Sequence, residues 1–144
     1  MLGEDCARHF ILDVTDSPRI QPTIDEVVSH FGAIDILVNN AGIAFREPAE
    51  ETSEDKWDLT MAVNLKAVFL LSKAVGRHFL DQGHGKIINI ASQAAVVALA
   101  NHLAYCTSND APNLRQKTHT QVKLSSLGER ARACYSFPSC SYAR

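Results

Sequence analysis

The stretch Ile34-Asp35-Ile36-Leu37-Val38-Asn39-Asn40-Ala41-Gly42 decides the fold. Ile34 to Val38 is a short, nearly continuous apolar run. Such a run suits a parallel strand covered on both faces, where strict alternation of apolar and polar residues is not required. It ends in two asparagines, an alanine and a glycine, a turn with little side-chain bulk. Two other runs have the same character. His9-Phe10-Ile11-Leu12-Asp13-Val14 lies upstream, and Lys86-Ile87-Ile88-Asn89-Ile90-Ala91 lies downstream, ending at Ser92.

Helical patterns fill the gaps between these runs. Ser17-Pro18 pairs a capping residue with a proline at the first helical position. Ile24, Val27, Val28 and Phe31 recur at helical spacing, and Gly32 closes the segment. Pro22 has no backbone N–H, so an irregular first turn or a late start is expected. Thr52 or Ser53, with acidic neighbours, predicts a second helix start. From about Asp55 to Leu80, residues Trp57, Met61, Leu65, Val68, Phe69, Leu71, Val75 and Phe79 form a wide apolar face. Gln82-Gly83-His84-Gly85 is a turn. The order β-α-β-α-β predicts an α/β fold built on a doubly wound parallel sheet. Right-handed crossovers place the C-terminal strand ends on one edge, where ligands bind in such sheets. Asp13, the turn Asn39 to Gly42, and Ser92 all stand at those ends.

Composition narrows the function classes. The 144 residues suffice for one domain, and a hydrophobic fraction of 46% is ordinary for a globular chain. No apolar run reaches about 18 residues, so no membrane span is expected. Met1 to Asp5 lacks the basic start and apolar stretch of a secretory signal, which points to a soluble cytoplasmic protein. Cys6, Cys106, Cys134 and Cys140 show no paired spacing, so reduced thiols and no metal site are expected. The charge is uneven. Residues 1–108 carry 8 basic and 14 acidic side chains, whereas residues 109–144 carry 6 basic and 2 acidic ones. That basic tail lacks a periodic stripe of Lys or Arg with aromatics between, so no nucleic-acid partner is expected. It also shows no clear strand and no sustained helical period. The chain therefore divides at 108, with an irregular or disordered segment over 109–144.

Five pieces of text carry a resemblance. They are Asp13-Val14, Ile36 to Gly42, Met61-Ala62-Val63-Asn64, Ile88-Asn89-Ile90-Ala91-Ser92, and Tyr105-Cys106-Thr107-Ser108. With Ser92 standing thirteen residues before Tyr105, the combination resembles the short-chain dehydrogenase/reductase family over roughly residues 9–108. The resemblance implies a partial Rossmann-like sheet containing the equivalents of family strands 3, 4 and 5. It implies NAD or NADP as cofactor and a secondary alcohol or its ketone as substrate. Catalytic roles fall on Asn64, Ser92 and Tyr105, and cofactor contacts on Asp13, Val14, Asn40, Ala41, Gly42 and Tyr105. Tyr105 would exchange a proton with the substrate oxygen, and Ser92 would hold that oxygen. Asn64 would anchor a water leading to the family's lysine. Simpler roles stand beside these: a packed tyrosine at 105, a turn-capping serine at 92 and a helix-entry aspartate at 13. The text around Ser92 and Tyr105 looks most like polyol (sugar-alcohol) dehydrogenases, with 3-oxoacyl carrier-protein reductases as the alternative.

Two departures from the family pattern bear on activity. The family places a lysine four residues after its tyrosine, on the same helical face, to lower the phenol pKa; here that position is Asn109. The family's glycine-rich turn, which holds the cofactor pyrophosphate, is also missing. The resemblance therefore describes a domain truncated at both ends and expected to be inactive. Such a chain could associate with itself or with a full-length relative through the helix around 56–80. The family sheet runs 3-2-1-4-5-6-7, so strand 3 either pairs anew beside strand 4 or stays loose, and marginal stability is expected.

Overall fold

The computed structural model describes residues 7–116 of the chain. Helix α1 (Ser17–Phe31) leads to strand β1 (Ile36–Asn39). Helices α2 (Glu54–Met61) and α3 (Ala67–Gln82) follow, joined by a π turn over Ala62–Lys66. Strand β2 (Lys86–Asn89) and helix α4 (Leu103–Gln116) complete the order. The two strands pair in parallel, with Ile36 opposite Lys86 and Asn39 opposite Asn89. The α/β class and the parallel pairing are those expected from the sequence.

Residues 9–14 differ from expectation. They were to form the first strand, yet they lie outside the ladder, and Ile11 is 88% exposed. A strand is held by its hydrogen-bonding neighbour. Among the described residues no strand pairs with this segment. What holds the segment instead is Leu12, which packs on the core, and a turn at its end. In that turn the Asp13 carboxylate accepts hydrogen bonds from Thr15 N (2.8 Å) and Thr15 Oγ1 (2.7 Å).

Helix α1 starts at Ser17 despite Pro22, which sits inside it. Proline removes the bond to Pro18 O, only one turn from the helix end, so the loss falls where the ladder is weakest. Ser53 caps α2, its side chain accepting from Lys56 N, with Glu54 and Asp55 in the first turn. Gly83 ends α3 at φ 79°, a left-handed conformation that favours glycine.

The core lies between α1, α3 and one face of the sheet. Ile20, Ile24, Ala74, Val75 and Phe79 are buried there, with Leu37 and Ile87 packed against them from the strands. The opposite sheet face is bare. Ile36 and Val38 alternate with Leu37 and remain 56% and 50% exposed. The continuous apolar run that predicted cover on both faces is thus covered on one.

By length and composition the continuous helix Glu54–Gln82 could cross a membrane. Lys66, Lys73 and Arg77 lie along it, however, and charges at such depth are costly. Thr60 and Asn64 are buried against neighbouring elements, as in the layer of an α/β fold. Helix α4 extends to Gln116, so its last turns enter the segment expected to be irregular. The rest of that segment, with Cys134 and Cys140, lies outside the described residues, as does Cys6.

Candidate active site

The site begins where the two strands end. Asn39, only 6% exposed, stands opposite Asn89 in the ladder. Its Nδ2 donates to Asn89 Oδ1 at 2.8 Å and to Ser72 Oγ at 3.3 Å. These contacts tie both strand ends to α3. The chain then runs through the small turn at Asn40, Ala41 and Gly42.

Asn64 sits in the π turn. Asparagine is a poor helix former, and its contacts explain its presence. Its Oδ1 accepts from Ile43 N at 2.9 Å, and its Nδ2 donates to Ile43 O at 2.9 Å. Nδ2 also donates to Ser108 Oγ at 3.0 Å. One buried amide therefore clamps the turn after β1 to helix α4. A π turn adds a residue to the helical circuit, a local distortion frequent at functional sites.

Helix α4 carries Tyr105, which is partly buried. Its ring lies edge-on to His102, with centroids 6.3 Å apart. Ser108 Oγ donates to Tyr105 O at 2.9 Å, and Asn109 Nδ2 donates to the same carbonyl at 2.9 Å.

These elements enclose a cavity of about 250 Å³. Its walls are the turn from Asn39 to Ala44, Asn64 and Val68, the β2 end from Asn89 to Ala91, and Tyr105 with Asn109. Of the residues expected to act, Asn40, Ala41, Gly42, Asn64 and Tyr105 are brought together here. Ser92 follows the wall at Ala91, and its Oγ accepts from Ala94 N at 3.2 Å, capping a short 3-10 turn. A serine that accepts still has its own O–H to donate. Asp13 and Val14 are not part of the wall. Asp13 serves the turn into α1, and its hydrogen bonds from the Thr15 hydroxyl and backbone lower its pKa below the usual 3.8.

Ile43 and Ser108 complete the polar framework, and sequence reasoning gave neither a role. The signal was available for Ser108: it falls on the helical face of Tyr105, and Asn64 required a buried partner.

The cavity tests the fit of a nicotinamide dinucleotide. Its wall carries amide, hydroxyl and small apolar groups, which suit a ribose and an uncharged ring. Among the described residues no charged side chain belongs to it. It therefore fits the uncharged parts of a dinucleotide and offers the pyrophosphate no cation.

Comparison with known proteins agrees with this geometry. Residues 2–119 match the family described as short chain dehydrogenase. A D-threitol dehydrogenase of Mycolicibacterium smegmatis is 51% identical over 109 residues, 74% of this chain and 42% of that one. An NAD-dependent glycerol dehydrogenase of Listeria innocua is 45% identical over 100 residues, 69% of this chain and 39% of its own. Among solved structures, a gluconate 5-dehydrogenase from Burkholderia cenocepacia in complex with NADP and tartrate superimposes with a TM-score of 0.74 at 41% identity. That superposition covers 78% of this chain and 44% of the other. The chain thus spans roughly two fifths of the length of the relatives it matches. From the matched profile, the strand-end cavity and these relatives, the chain belongs to the short-chain dehydrogenase family.

Proposed function

We propose that residues 7–116 carry the site of an NAD(P)-dependent oxidoreductase that interconverts a secondary alcohol of a polyol or sugar acid with the corresponding ketone. We further propose that this 144-residue form does not turn over. The observation that carries the first part is the convergence of the Asn39–Ala44 turn, Asn64 and Tyr105 on one cavity at the strand ends.

A bound nicotinamide supplies the hydride acceptor or donor. The Tyr105 hydroxyl takes up or returns the proton of the substrate oxygen, and Ser92 donates its O–H to that oxygen. Asn64 fixes the distance between the two walls. Near neutrality a phenol takes part in proton exchange most readily when a cation stands beside it. Among the described residues the cavity wall holds none, and the amide of Asn109 is engaged by the Tyr105 carbonyl. This supports the loss of turnover.

A second, non-catalytic reading has its own observation. Leu59, Phe69 and Leu80 are 44%, 54% and 56% exposed along helix 54–82. Exposed large apolar side chains of that kind suit a subunit interface with a second copy or a longer relative. Sedimentation over a wide concentration range tests it, and a monomer throughout would oppose self-association.

The main reading is tested by titrating the purified chain with NADH and NADPH while following nicotinamide fluorescence. D-Threitol, glycerol and gluconate are then offered with the oxidised cofactors. Saturable binding without turnover is expected. No binding up to millimolar cofactor would overturn the dinucleotide site, and ready oxidation of any of the three would overturn the inactivity.

A further inference from the structure

Ser108 has no exposed surface, and its hydroxyl belongs to two hydrogen bonds that run in sequence. It accepts from Asn64 Nδ2 and donates to Tyr105 O. A helical serine commonly bonds a carbonyl one turn back, and nothing more follows from that contact alone. Here the same oxygen also receives a donor from another helix. Asn64 in turn holds both backbone groups of Ile43. The result is a continuous buried chain from the Ile43 backbone through Asn64 and Ser108 to the Tyr105 carbonyl.

We propose that Ser108 is a positioning residue, coupling the cavity wall at Ile43 to the helical turn that presents Tyr105. Ile43 and Tyr105, at the two ends of the chain, both line the cavity. A slide or rotation of α4 would break either the Asn64–Ser108 bond or the bonds from Asn64 to Ile43. Water does not reach Ser108 to replace the first of these, so the link is stiff. The distance from the Tyr105 hydroxyl to the turn at Asn40 to Gly42 is then set by Ser108 rather than by α4 packing alone. The consequence for proton exchange rests on the function proposed above, whereas the coupling itself does not.

The test is amide hydrogen exchange in the full chain, comparing Ile43 with Gly32. The Gly32 N–H is bonded to Val28 O at the end of α1, far along the chain from Ser108. In Ser108→Ala, Ile43 should exchange roughly five- to tenfold faster, the factor one net hydrogen bond is worth, with Gly32 unchanged. Ser108→Thr, which restores the hydroxyl, should return the rate toward that of the unaltered chain. If the alanine variant does not fold, Ser108→Cys keeps a similar size with a weaker donor and acceptor, and an intermediate acceleration is expected. Unaltered Ile43 protection in the alanine or cysteine variant would overturn the proposal, as would parallel acceleration of Ile43 and Gly32. An NADH titration of the same samples separates the two ideas. Absent cofactor binding defeats the proposed function and leaves the exchange result standing.

Discussion

The side-chain amide of Asn109 donates to the main-chain carbonyl of Tyr105 at 2.9 Å, within one turn of the same helix. The residue that occupies the family's lysine position is therefore turned back on its own helix while still bordering the cavity. Asn109→Lys would place an ammonium group one helical turn from the phenol. This restores the charge that the family pattern sets one turn from its tyrosine. Turnover should remain undetectable, because the cavity still offers the pyrophosphate no cation. Measurable oxidation of a polyol by the lysine variant would contradict this.

The uncharged cavity wall makes a second prediction. Discrimination between NADH and NADPH rests on a single phosphate, and among the described residues no charged side chain lines the cavity to sense it. The two cofactors should bind with affinities within roughly threefold of each other, with little response to added salt, since screening acts on charge pairs. Fluorescence titrations at low and high salt check both points. A steep salt dependence would point to a cation that contacts the phosphates.

Much of this could be read in the residues. The run Ile36–Val38 and its partner Ile87–Ile88 suggested parallel strands, because continuous apolar residues of that length suit such a sheet. The place of Asn40 and Gly42 at the strand ends followed from strand polarity, whereas Asn64 and Tyr105, both on helices, came from the family resemblance. Residues 9–14 misled because a β-rich run reads the same with or without a partner strand. Asp13 also fills the simpler role weighed for it, at the entry to α1, where its carboxylate accepts from Thr15 two residues on. The coupling through Ser108 was hidden because it joins residues 44 positions apart, a relation that spacing does not encode.

Gly85 is tightly confined. A Cβ there would fall 2.1 Å from Phe79 Cγ, and Phe79 is itself only 2% exposed. Its ring has little room to yield in a packed core. Gly85→Ala should destabilise the chain by about 1–3 kcal/mol, the usual cost of overpacking. Gly76→Ala, where the added carbon meets nothing within 4 Å, should be neutral or slightly stabilising. Denaturant midpoints of the two variants make the comparison, and equal midpoints would refute it.

Asp13 gives a pH signature. Its pKa is lowered first by the Thr15 hydroxyl and then by the Thr15 backbone N–H. The folded state thus favours the ionised form. The stabilisation is fully present above the ordinary value of 3.8 and is lost as pH falls through the lowered folded value. Asp13→Ala should therefore melt below the unaltered chain at neutral pH, and the gap should close in strong acid. A gap that persists at low pH would show that the turn does not depend on the carboxylate.

The bare sheet face yields the sharpest contrast between neighbouring residues. Ile36 and Val38 point away from the core and are half exposed, whereas Leu37 between them packs on the buried cluster of α1 and α3. Exchanging an exposed apolar residue for threonine removes little buried area and keeps the branching that strands favour. Ile36→Thr and Val38→Thr should each shift stability by no more than about 0.5 kcal/mol. Leu37→Ala removes packing from a small core and should cost about 2 kcal/mol or more. The same face should bind a hydrophobic dye in the folded chain, and the double threonine variant should bind less. If instead the threonine variants lose as much stability as Leu37→Ala, that face is covered in solution, and self-association through it becomes the explanation to pursue.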